Sequence, residues 1–287
     1  MFPTKMYMLK ETSAYMMSFV FITKDNNCIV VDGGRIEDMP TLKQYVGGRR
    51  ISAWILTHAH SDHISGLIHE IEKNGAADFD IEKIYYNFPD YDRLMQVRDV
   101  PDLTYFQMEL DDALLPFNKV KDKIADKLHI VKQGDTLEID ELEIEFLFSL
   151  HDGLYSNLMN DASLVFKVKA PRKTILFLGD LGPEGGDWLY RESRNKLKAD
   201  IVQMAHHGHM NVSMEVYAAI APSVCLWCAP QWLYDEPEVA AWMTARWLEI
   251  DEKRMRMHGT AVTRKWMEIL GVKEHYVSAH GTVALEV

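Results

Sequence analysis

The sequence predicts an α/β protein whose strands and helices form separate layers. Short apolar runs rich in Ile, Val, Leu and Phe recur along the chain, and each ends at a polar or metal-binding residue. Segments with helical periodicity lie between some of these runs. Glycine, aspartate or histidine bounds the runs, which is typical of buried strands. In layered α/β folds, ligands collect at the carboxyl ends of strands, and the histidines and aspartates of this chain lie there.

Six apolar runs are predicted to be strands. The first lacks a small-residue cleavage site after it, so we interpret it as a strand and not as a signal peptide. The other five lead directly into candidate site residues, which indicates that these residues share one edge of a sheet. The six runs are Tyr15–Ile22, Ile29–Val31, Ile51–Leu56, Ile144–Leu150, Thr174–Leu178 and Ile201–Ala205.

The clearest helical pattern covers His63–Lys73, where apolar residues recur at the spacing of one helix face. Ser61 is the predicted N-cap, and Asn74-Gly75 is the predicted end. The apolar positions are Ile64, Leu67, Ile68 and Ile71.

Further helices are predicted on either side of the central strands. Residues 102–128 are expected to form one or two surface helices, broken near Pro116. Glu238–Ile250 and Thr260–Leu270 are expected to be amphipathic helices, and Gly271 closes the second.

The C-terminal tail is predicted to form a hairpin. Its two apolar segments, Tyr276–Ala279 and Thr282–Val287, are separated by His280-Gly281. A Cys225-Leu-Trp-Cys228 motif precedes this region in an apolar, strand-like context. Residues three apart on a strand face opposite sides, so these two thiols are not expected to pair or to share a metal.

Composition excludes several classes of function. The 287-residue chain has 43 acidic and 31 basic residues, for a net charge of -12. Long DNA or RNA and anionic membranes both select a basic surface, so neither is an expected partner. No apolar run approaches the roughly 20 residues of a transmembrane helix. Three cysteines are too few for a disulfide framework, so we expect a reduced, cytoplasmic protein. We expect a single domain that covers residues 1–287. The sequence is also compatible with a homo-oligomer.

The strongest functional signal is the segment Thr57–His63. Three of the chain's 12 histidines fall within it, together with an aspartate. In an extended loop His58 and His60 point the same way, because side chains alternate with a period of two, and they could therefore hold one metal ion. Asp62 and His63 follow where the chain turns into a helix, so their side chains face a second metal position next to the first.

Two metal ions need more ligands than this segment supplies. His151, Asp180 and the pair His206-His207 each follow a strand-like run. A carboxylate such as that of Asp180 can bridge two cations through its two oxygens. Of the pair, we favour His207 as the ligand and His206 as a residue that faces substrate. A set of imidazoles and carboxylates without thiolate suits Zn²⁺ and also Mn²⁺ or Fe.

These residues resemble the metallo-β-lactamase superfamily of dinuclear metal hydrolases. The HxHxDH motif of that family is present in full at positions 58–63. Its later histidine, bridging aspartate and last histidine match His151, Asp180 and His207. Its early strand-end aspartate, a structural support for the site, matches Asp32. The resemblance runs from about Phe19 to residue 225 and implies an αββα sandwich with a dimetal site at one edge.

Within that superfamily, three segments are similar to the ComEC-like branch, which includes hydrolase domains of DNA-uptake proteins and phosphorylcholine esterases. The membrane channel of the uptake proteins is absent, and residues 88–130 and 225–235 match no branch. The three segments are Asn160–Phe166, Phe177–Asp180 and His206–Gly208.

The resemblance implies a cofactor of two divalent ions, with Zn²⁺ as the first expectation. The first ion is assigned to three histidines, the second to two histidines and an aspartate, and one further aspartate bridges both. These ligands are His58, His60 and His151 for the first ion, Asp62, His63 and His207 for the second, and Asp180 for the bridge.

The expected activity is hydrolysis by a hydroxide held between the two ions. Asp62 and Asp180 are therefore catalytic candidates, and His206 would protonate a leaving group or position substrate. Two divalent ions would outweigh the two carboxylates and a bound hydroxide by about one positive charge, which favours a small anionic substrate. We prefer a small phosphodiester or another anionic ester. Residues expected to contact substrate are His209, Trp232 and Tyr234.

Three other functions remain open. The same ligands support lactonases and thioesterases. A redox enzyme of the diiron type would carry more carboxylates and a flavin domain, and neither is visible in the sequence. A non-catalytic relative would be expected to have lost ligands, whereas this chain keeps each one that the motif requires.

Overall fold

Two β-sheets packed face to face form the centre of the fold. The computed structural model describes residues 3–96, 110–155, 157–240 and 258–287. In these residues fifteen strands are present, eight in the first sheet and seven in the second. The strands are β1 Lys5–Met8, β2 Ser18–Ile22, β3 Cys28–Asp32, β4 Arg50–Ile55, β5 Asp80–Ile81, β6 Ile84–Tyr86, β7 Leu128–Ile130, β8 Thr136–Ile139, β9 Leu142–Phe148, β10 Val165–Lys169, β11 Thr174–Phe177, β12 Ile201–Gln203, β13 Val224–Trp227, β14 Glu274–Val277 and β15 Val283–Glu286.

The first sheet has the order β15-β1-β2-β3-β4-β6-β7, with β5 beside β4. The second has the order β14-β13-β12-β11-β10-β9-β8. Both sheets combine antiparallel and parallel pairs. In particular, β3 runs parallel to β4, and β11 runs parallel to β12. The carboxyl ends of these four strands carry the candidate site residues.

The central strands of each sheet are buried on both faces. Along β9, Phe146 packs between the two sheets with residues such as Phe19 and Phe166, whereas the next residue, Leu147, packs on the outer side. Successive strand residues point to opposite faces, so an apolar run without alternation produces a strand that is buried on both sides. Aromatic rings link the sheets directly, with the Phe19 and Phe177 rings 5.0 Å apart.

Helices cover the outer faces. The α-helices are α1 Met39–Val46, α2 Ser61–Asn74, α3 Tyr91–Gln96, α4 Leu115–Val120, α5 Leu158–Asp161, α6 Pro183–Ser193, α7 Met214–Ile220, α8 Gln231–Tyr234 and α9 Thr260–Ile269. Segments of 3₁₀-helix occur at Ile36–Asp38, Lys121–Lys127, Arg194–Lys196, Ala205–Gly208 and Ser278–His280, and Leu110–Leu114 is a π-helix. Helices on two stacked sheets form the predicted α/β sandwich, so the fold-class prediction is confirmed.

Helix α2 follows the prediction closely. Its apolar face, which includes Ile64 and Ile71, is buried against the first sheet. It ends at Gly75, whose φ of 70° is the left-handed conformation that glycine adopts at little cost. Ser61 is the first residue of the helix and not its N-cap, since His60 holds the capping position.

The predicted C-terminal hairpin is wrong. Strand β14 pairs in parallel with β13 in the second sheet, whereas β15 pairs antiparallel with β1 in the first. Each strand therefore covers an edge whose backbone groups would otherwise stay unpaired. Alternating apolar residues predict that a segment is a strand, but they do not predict which strand it pairs with. The pairing of β14 and β15 was decided by the open edges of the two sheets.

Two other predictions touch residues outside the described part. The chain is helical from Leu110 to Lys127 and continues past Pro116, which lies in the first turn of α4 where proline is tolerated. Residues 102–109 lie outside the description. So do 241–257, which include most of the predicted helix Glu238–Ile250. Helix α9 matches its prediction.

Cys225 and Cys228 face opposite sides of their strand, as predicted. Cys225 belongs to the outer apolar cluster and Cys228 to the cluster between the sheets, and both thiols are free. Among the described helices, none combines the length and the apolar character needed to cross a membrane.

Candidate metal centre

Four side chains meet at the edge where the two sheets come together. Each offers one nitrogen or oxygen atom, and these atoms all lie within 4.8 Å of one another. Every member is buried, with at most 6% of its surface exposed. Two come from the start of α2, one from the end of β11 and one from the turn after β12. They are Asp62, His63, Asp180 and His207.

Within this group, each imidazole lies close to both carboxylates. The Nε2 atom of His207 lies 2.9 Å from Oδ2 of Asp62 and 3.2 Å from Oδ2 of Asp180. The Nε2 atom of His63 lies 3.4 Å from Oδ2 of Asp62 and 3.3 Å from Oδ1 of Asp180. Four donor atoms therefore converge on one small volume.

Asp32 holds His63 from behind. Its Oδ2 atom lies 2.7 Å from Nδ1 of His63. Thr57 donates to the same carboxylate from its backbone N–H at 2.7 Å and from its hydroxyl at 2.8 Å. With Nδ1–H donated to Asp32, the neutral His63 ring would present the lone pair of Nε2 to a cation, the usual arrangement behind metal-bound histidine. Asp32 itself has a φ of 53°, in the left-handed region that aspartate visits more readily than most residues.

His207 is oriented in the same way by backbone. Its Nδ1 atom lies 2.7 Å from the carbonyl oxygen of Cys228. A carbonyl only accepts hydrogen bonds, so Nδ1 carries the proton and Nε2 faces Asp62 and Asp180. His207 also has a positive φ of 55°, as does His206 at 47°. The turn after β12 thus takes a strained form that points the two histidines apart.

The backbone of Asp180 is held by the segment that precedes β10. Its N–H donates to the hydroxyl of Ser163 at 3.0 Å. Gly179 has a φ of 56°, and a Cβ there would lie 2.9 Å from the Ser163 side chain, so only glycine fits. Asp161 accepts a hydrogen bond from the N–H of Gly185 at 2.9 Å and supports the following loop.

Opposite charges stabilise one another in this buried group. Burial opposes ionisation of Asp62 and Asp180, but His63 and His207 outweigh it and hold the pKa of both carboxyls well below the ordinary value. Burial would lower the pKa of His207, but the Asp180 carboxylate reverses this and raises the pKa to about 10. Two buried carboxylates require nearby positive charge, which protonated imidazoles or a divalent cation can supply.

Two atoms of the group lack a hydrogen bond among the described residues, which also indicates a cation site. Nε2 of His63 and Oδ1 of Asp180 are buried, and although they lie 3.3 Å apart, neither makes a hydrogen bond of normal geometry within the described part of the chain. Buried polar atoms without partners are uncommon in folded proteins and call for an unseen ligand. Two carboxylates with two imidazoles are a donor set for Zn²⁺, Mn²⁺ or Fe. The chain therefore has a cluster able to bind a divalent metal ion.

His58 and His60 lie next to this group. The Nε2 atom of His58 is 3.0 Å from Nδ1 of His60 and 3.9 Å from Oδ2 of Asp180. Burial, together with the charge of His63, keeps the pKa of His58 well below its ordinary value. His58 is therefore a neutral imidazole, and its Nε2 atom lies between His60 and Asp180. Six of the seven predicted ligands are thus brought into one region.

The described contacts of His151 are with residues outside this group. Its ring stacks on Trp188 with centroids 4.0 Å apart, and its Nε2 lies 3.6 Å from Oε1 of Glu192. The N–H of Gly153 donates to its Nδ1 at 2.9 Å. Arg93 holds the loop by donating to the carbonyl oxygens of Asp152 and Leu154. The role of His151 as a metal ligand stays a prediction.

His206 and His209 lie on the other side of His207. The Nε2 atom of His206 is 4.0 Å from Oδ2 of Asp180, and its ring lies 4.6 Å from that of His209. Burial, reinforced by His209, lowers the pKa of His206 to about 3. His209 contacts Glu236, with Nδ1 3.2 Å from Oε2. His206 is therefore near the candidate ligands without belonging to their group.

The two aromatic candidates have different positions. Trp232 is 60% exposed, and its ring lies 6.0 Å from that of Tyr15, which in turn contacts His207. Tyr234 packs edge-on against Trp227 and beneath Arg264, so its described ring contacts are structural. Trp242 and Trp247, which follow them in the sequence, lie outside the described residues.

Tyr15 is a site residue that sequence reasoning missed. Its ring lies 5.1 Å from the ring of His207. The apolar run from Tyr15 to Ile22 predicted one strand, but the strand begins at Ser18, and Tyr15 lies in the loop before it. No motif surrounds Tyr15, so only the placement of this loop beside the later histidine reveals it.

One protein-family model and several solved structures resemble this chain. A family model described as the metallo-beta-lactamase superfamily matches residues 15–223. The structure of the metallo-beta-lactamase fold protein YhfI from Bacillus subtilis aligns with a TM-score of 0.53 at 13% identity, covering 99% of this chain and 100% of that one. Zn²⁺-bound PqqB from Methylobacterium extorquens aligns with a TM-score of 0.54 at 12% identity, covering 99% and 100%. A search of curated proteins finds no match. At these identities the structural likeness shows the fold alone.

Proposed function

Because the chain belongs to the metallo-β-lactamase superfamily, whose members are mostly metal-dependent hydrolases, we propose that it is a hydrolase with two divalent ions. The observation that carries this proposal is the buried group of Asp62, His63, Asp180 and His207, whose donor atoms lie within 4.8 Å of one another. Such a cluster is costly to bury unless a cation or protons balance its charge. Its position at strand ends is where α/β folds place ligands.

We assign the two ions as the family motif implies. Asp62, His63 and His207 would hold one ion, and Asp180 would bridge to the other. His58 and His60 would hold the second ion, since His58 lies 3.9 Å from the bridging carboxylate. His151 would complete it after leaving Trp188. Zinc is the proposed metal because the donor set lacks thiolate but is rich in imidazole.

When bound, the two ions would supply an ionised water as nucleophile and stabilise the negative charge that develops on the substrate. The protein's own groups orient this site. Asp32 and the carbonyl of Cys228 fix the ring orientations of His63 and His207. His206, with Nε2 4.0 Å from Asp180, is the proposed group that positions substrate or protonates its leaving group.

The proposed substrate is a small phosphodiester or another anionic ester. A pair of divalent ions leaves the centre positive, which favours an anion. The net charge of -12 opposes the approach of a long polyanion. The preference for phosphorus over carbonyl centres rests on the ComEC-like segments at Asn160–Phe166 and His206–Gly208. We further propose that the chain works in the cytoplasm as one domain, and a homo-oligomer is compatible with it.

Metal analysis and a substrate panel test this proposal. Purified protein loaded with Zn²⁺ should hold about two equivalents per chain, as a dinuclear hydrolase requires. It should hydrolyse bis(p-nitrophenyl) phosphate, and a chelator should remove this activity. A lactone and a thioester in the same panel separate the related carbonyl hydrolases. Iron content with visible absorbance would instead support a redox relative. Fewer than one equivalent of metal, or no turnover of any ester, would contradict the proposal.

A further inference from the structure

The loop that carries Tyr15 is tied to the ligand segment. The N–H of Met17 donates to the carbonyl of Asp62 at 3.1 Å, and the N–H of Gly33 donates to the carbonyl of Met17 at 3.3 Å. These bonds fix the loop between the end of β3 and the first turn of α2. Tyr15 is two residues from this anchor, so its backbone position is set by the same turn that presents Asp62 and His63.

Tyr15 forms part of a continuous aromatic surface. Its ring lies 5.1 Å from the buried ring of His207 on one side and 6.0 Å from the ring of Trp232 on the other. Trp232 is 60% exposed. The three rings therefore run from the candidate ligands to solvent. An exposed tryptophan at the end of such a row is unusual for a side chain that only packs the core.

Arg35 fixes Tyr15 in this position. Its guanidinium lies 5.3 Å from the centre of the Tyr15 ring, and its Nε donates to the Tyr15 carbonyl at 3.3 Å. Its Nη1 donates to the hydroxyl of Ser61 at 3.2 Å. The ring is therefore held by contacts to its face and backbone. The hydroxyl of Tyr15 makes no hydrogen bond to the described part of the chain, which leaves it able to donate to a bound molecule.

We infer that Tyr15 and Trp232 form one wall of the substrate site, where the Tyr15 hydroxyl donates a hydrogen bond to an oxygen of the anionic ester and the two rings hold a planar unsaturated group attached to that ester. This inference rests on the proposed hydrolase function and narrows its substrate class to aryl or similarly planar esters. The rings of Tyr15 and Trp232 lie at 69° to each other, so a planar group can stack on one ring and contact the other edge-on.

A binding experiment tests the wall without relying on turnover. The zinc-loaded protein is titrated in a calorimeter with phenyl phosphate and with ethyl phosphate. Phenyl phosphate should bind about 10-fold more tightly, in line with one or two aromatic contacts. Trp232→Ala should remove most of this preference while leaving the affinity for ethyl phosphate unchanged. Tyr91→Ala, at a tyrosine that is 50% exposed and has no described ring contact, serves as the matched control and should behave like wild type.

The outcomes separate this inference from the function on which it rests. If the protein binds both phosphates equally, or if Trp232→Ala weakens both to the same degree, the aromatic wall is wrong and the hydrolase proposal stands. If neither phosphate binds to protein that holds its metal, the inference fails, whereas the hydrolase proposal is decided separately by turnover of the ester panel.

Tyr15→Phe tests the hydroxyl by itself. This variant keeps the ring against His207 and Trp232, so its metal content and its phenyl preference should match wild type. Loss of one hydrogen bond to a charged oxygen should weaken phenyl phosphate and ethyl phosphate binding alike, by about 10-fold. With a hydrolysable aryl ester, kcat/KM should fall by a similar factor. Unchanged binding and kinetics in Tyr15→Phe, with loss of metal in Tyr15→Ala, would show that Tyr15 only supports His207.

Discussion

The Nε2 atom of His207 lies 2.9 Å from Oδ2 of Asp62, although 145 residues separate them in the chain. Asp62 lies in the first turn of a helix that packs on the first sheet, and His207 follows a strand of the second. The contact therefore joins the two halves of the sandwich at the edge where their strands end. Any metal ion held by both residues would also bind the two halves to each other.

Replacing Asp180 tests the bridge. Asp180→Ala should lower turnover by roughly 100-fold or more, because positioned metal ions stabilise the transition state by several kcal/mol. The metal content should also fall below that of wild type. Circular dichroism should show a retained fold, since the backbone bond to Ser163 does not need the carboxylate. Asp25→Ala, at an exposed turn, is the control. Full activity in Asp180→Ala would exclude the proposed centre.

Replacing Asp32 tests the support behind His63. Asp32→Asn should weaken zinc affinity by about 10- to 100-fold, the usual effect of losing a carboxylate behind a metal-bound histidine. Asparagine tolerates the positive φ of this position, so backbone strain should not confuse the result. Competition with a chromogenic chelator measures the affinity. Unaltered affinity would mean that His63 does not bind the metal through Nε2.

The position of His151 gives a spectroscopic prediction. Its ring stacks on Trp188 at 4.0 Å, so metal binding by His151 should alter the surroundings of the Trp188 ring. Zinc titration should therefore change the emission of Trp188, and the change should be absent in Trp188→Phe and in His151→Ala. If wild-type protein takes up two equivalents of zinc and the Trp188 emission stays constant, His151 is not a ligand.

Asp200 gives a prediction about pH that is remote from the metal centre. Burial opposes its ionisation, but hydrogen bonds from the Thr174 N–H at 2.7 Å and hydroxyl at 2.8 Å outweigh this and lower its pKa. A lowered folded-state pKa gives stability that is present above the unfolded value near 3.9 and is lost as pH falls through the folded value. Urea midpoints should therefore drop below about pH 4 in wild type and drop less in Asp200→Asn. If the urea midpoint falls equally steeply with pH in both proteins, the lowered pKa of Asp200 does not cause the loss of stability.

Much of the fold was predictable because the signals are local. Strands buried on both faces appear as unbroken apolar runs, and the helix His63–Lys73 appears as a stripe with a glycine stop. The predicted C-terminal hairpin was wrong because strand pairing is not a local property. Strand pairing depends on which sheet edge is open, and the edges beside β1 and β13 exist only after the rest of the chain has folded.

The candidate site likewise has residues that local sequence predicts and residues whose roles depend on the tertiary structure. The cluster of His58, His60, Asp62 and His63 is visible because its ligands are close in sequence, and a period of two in extended chain places alternate side chains together. The choice of His207 over His206 was weaker in the sequence. In the structure, the Cys228 carbonyl turns the ring of His207 toward Asp62, and two positive φ angles direct His206 away from the group.

The residue order by itself determined the layered α/β class, the metal-binding character and the family of this protein, because apolar periodicity and ligand spacing act over a few residues. Only the tertiary structure decided that Tyr15 stands beside His207, that His151 rests on Trp188, and that the last two strands join different sheets. These contacts join residues far apart in the chain, and close packing of two sheets, rather than any local preference, brings them together.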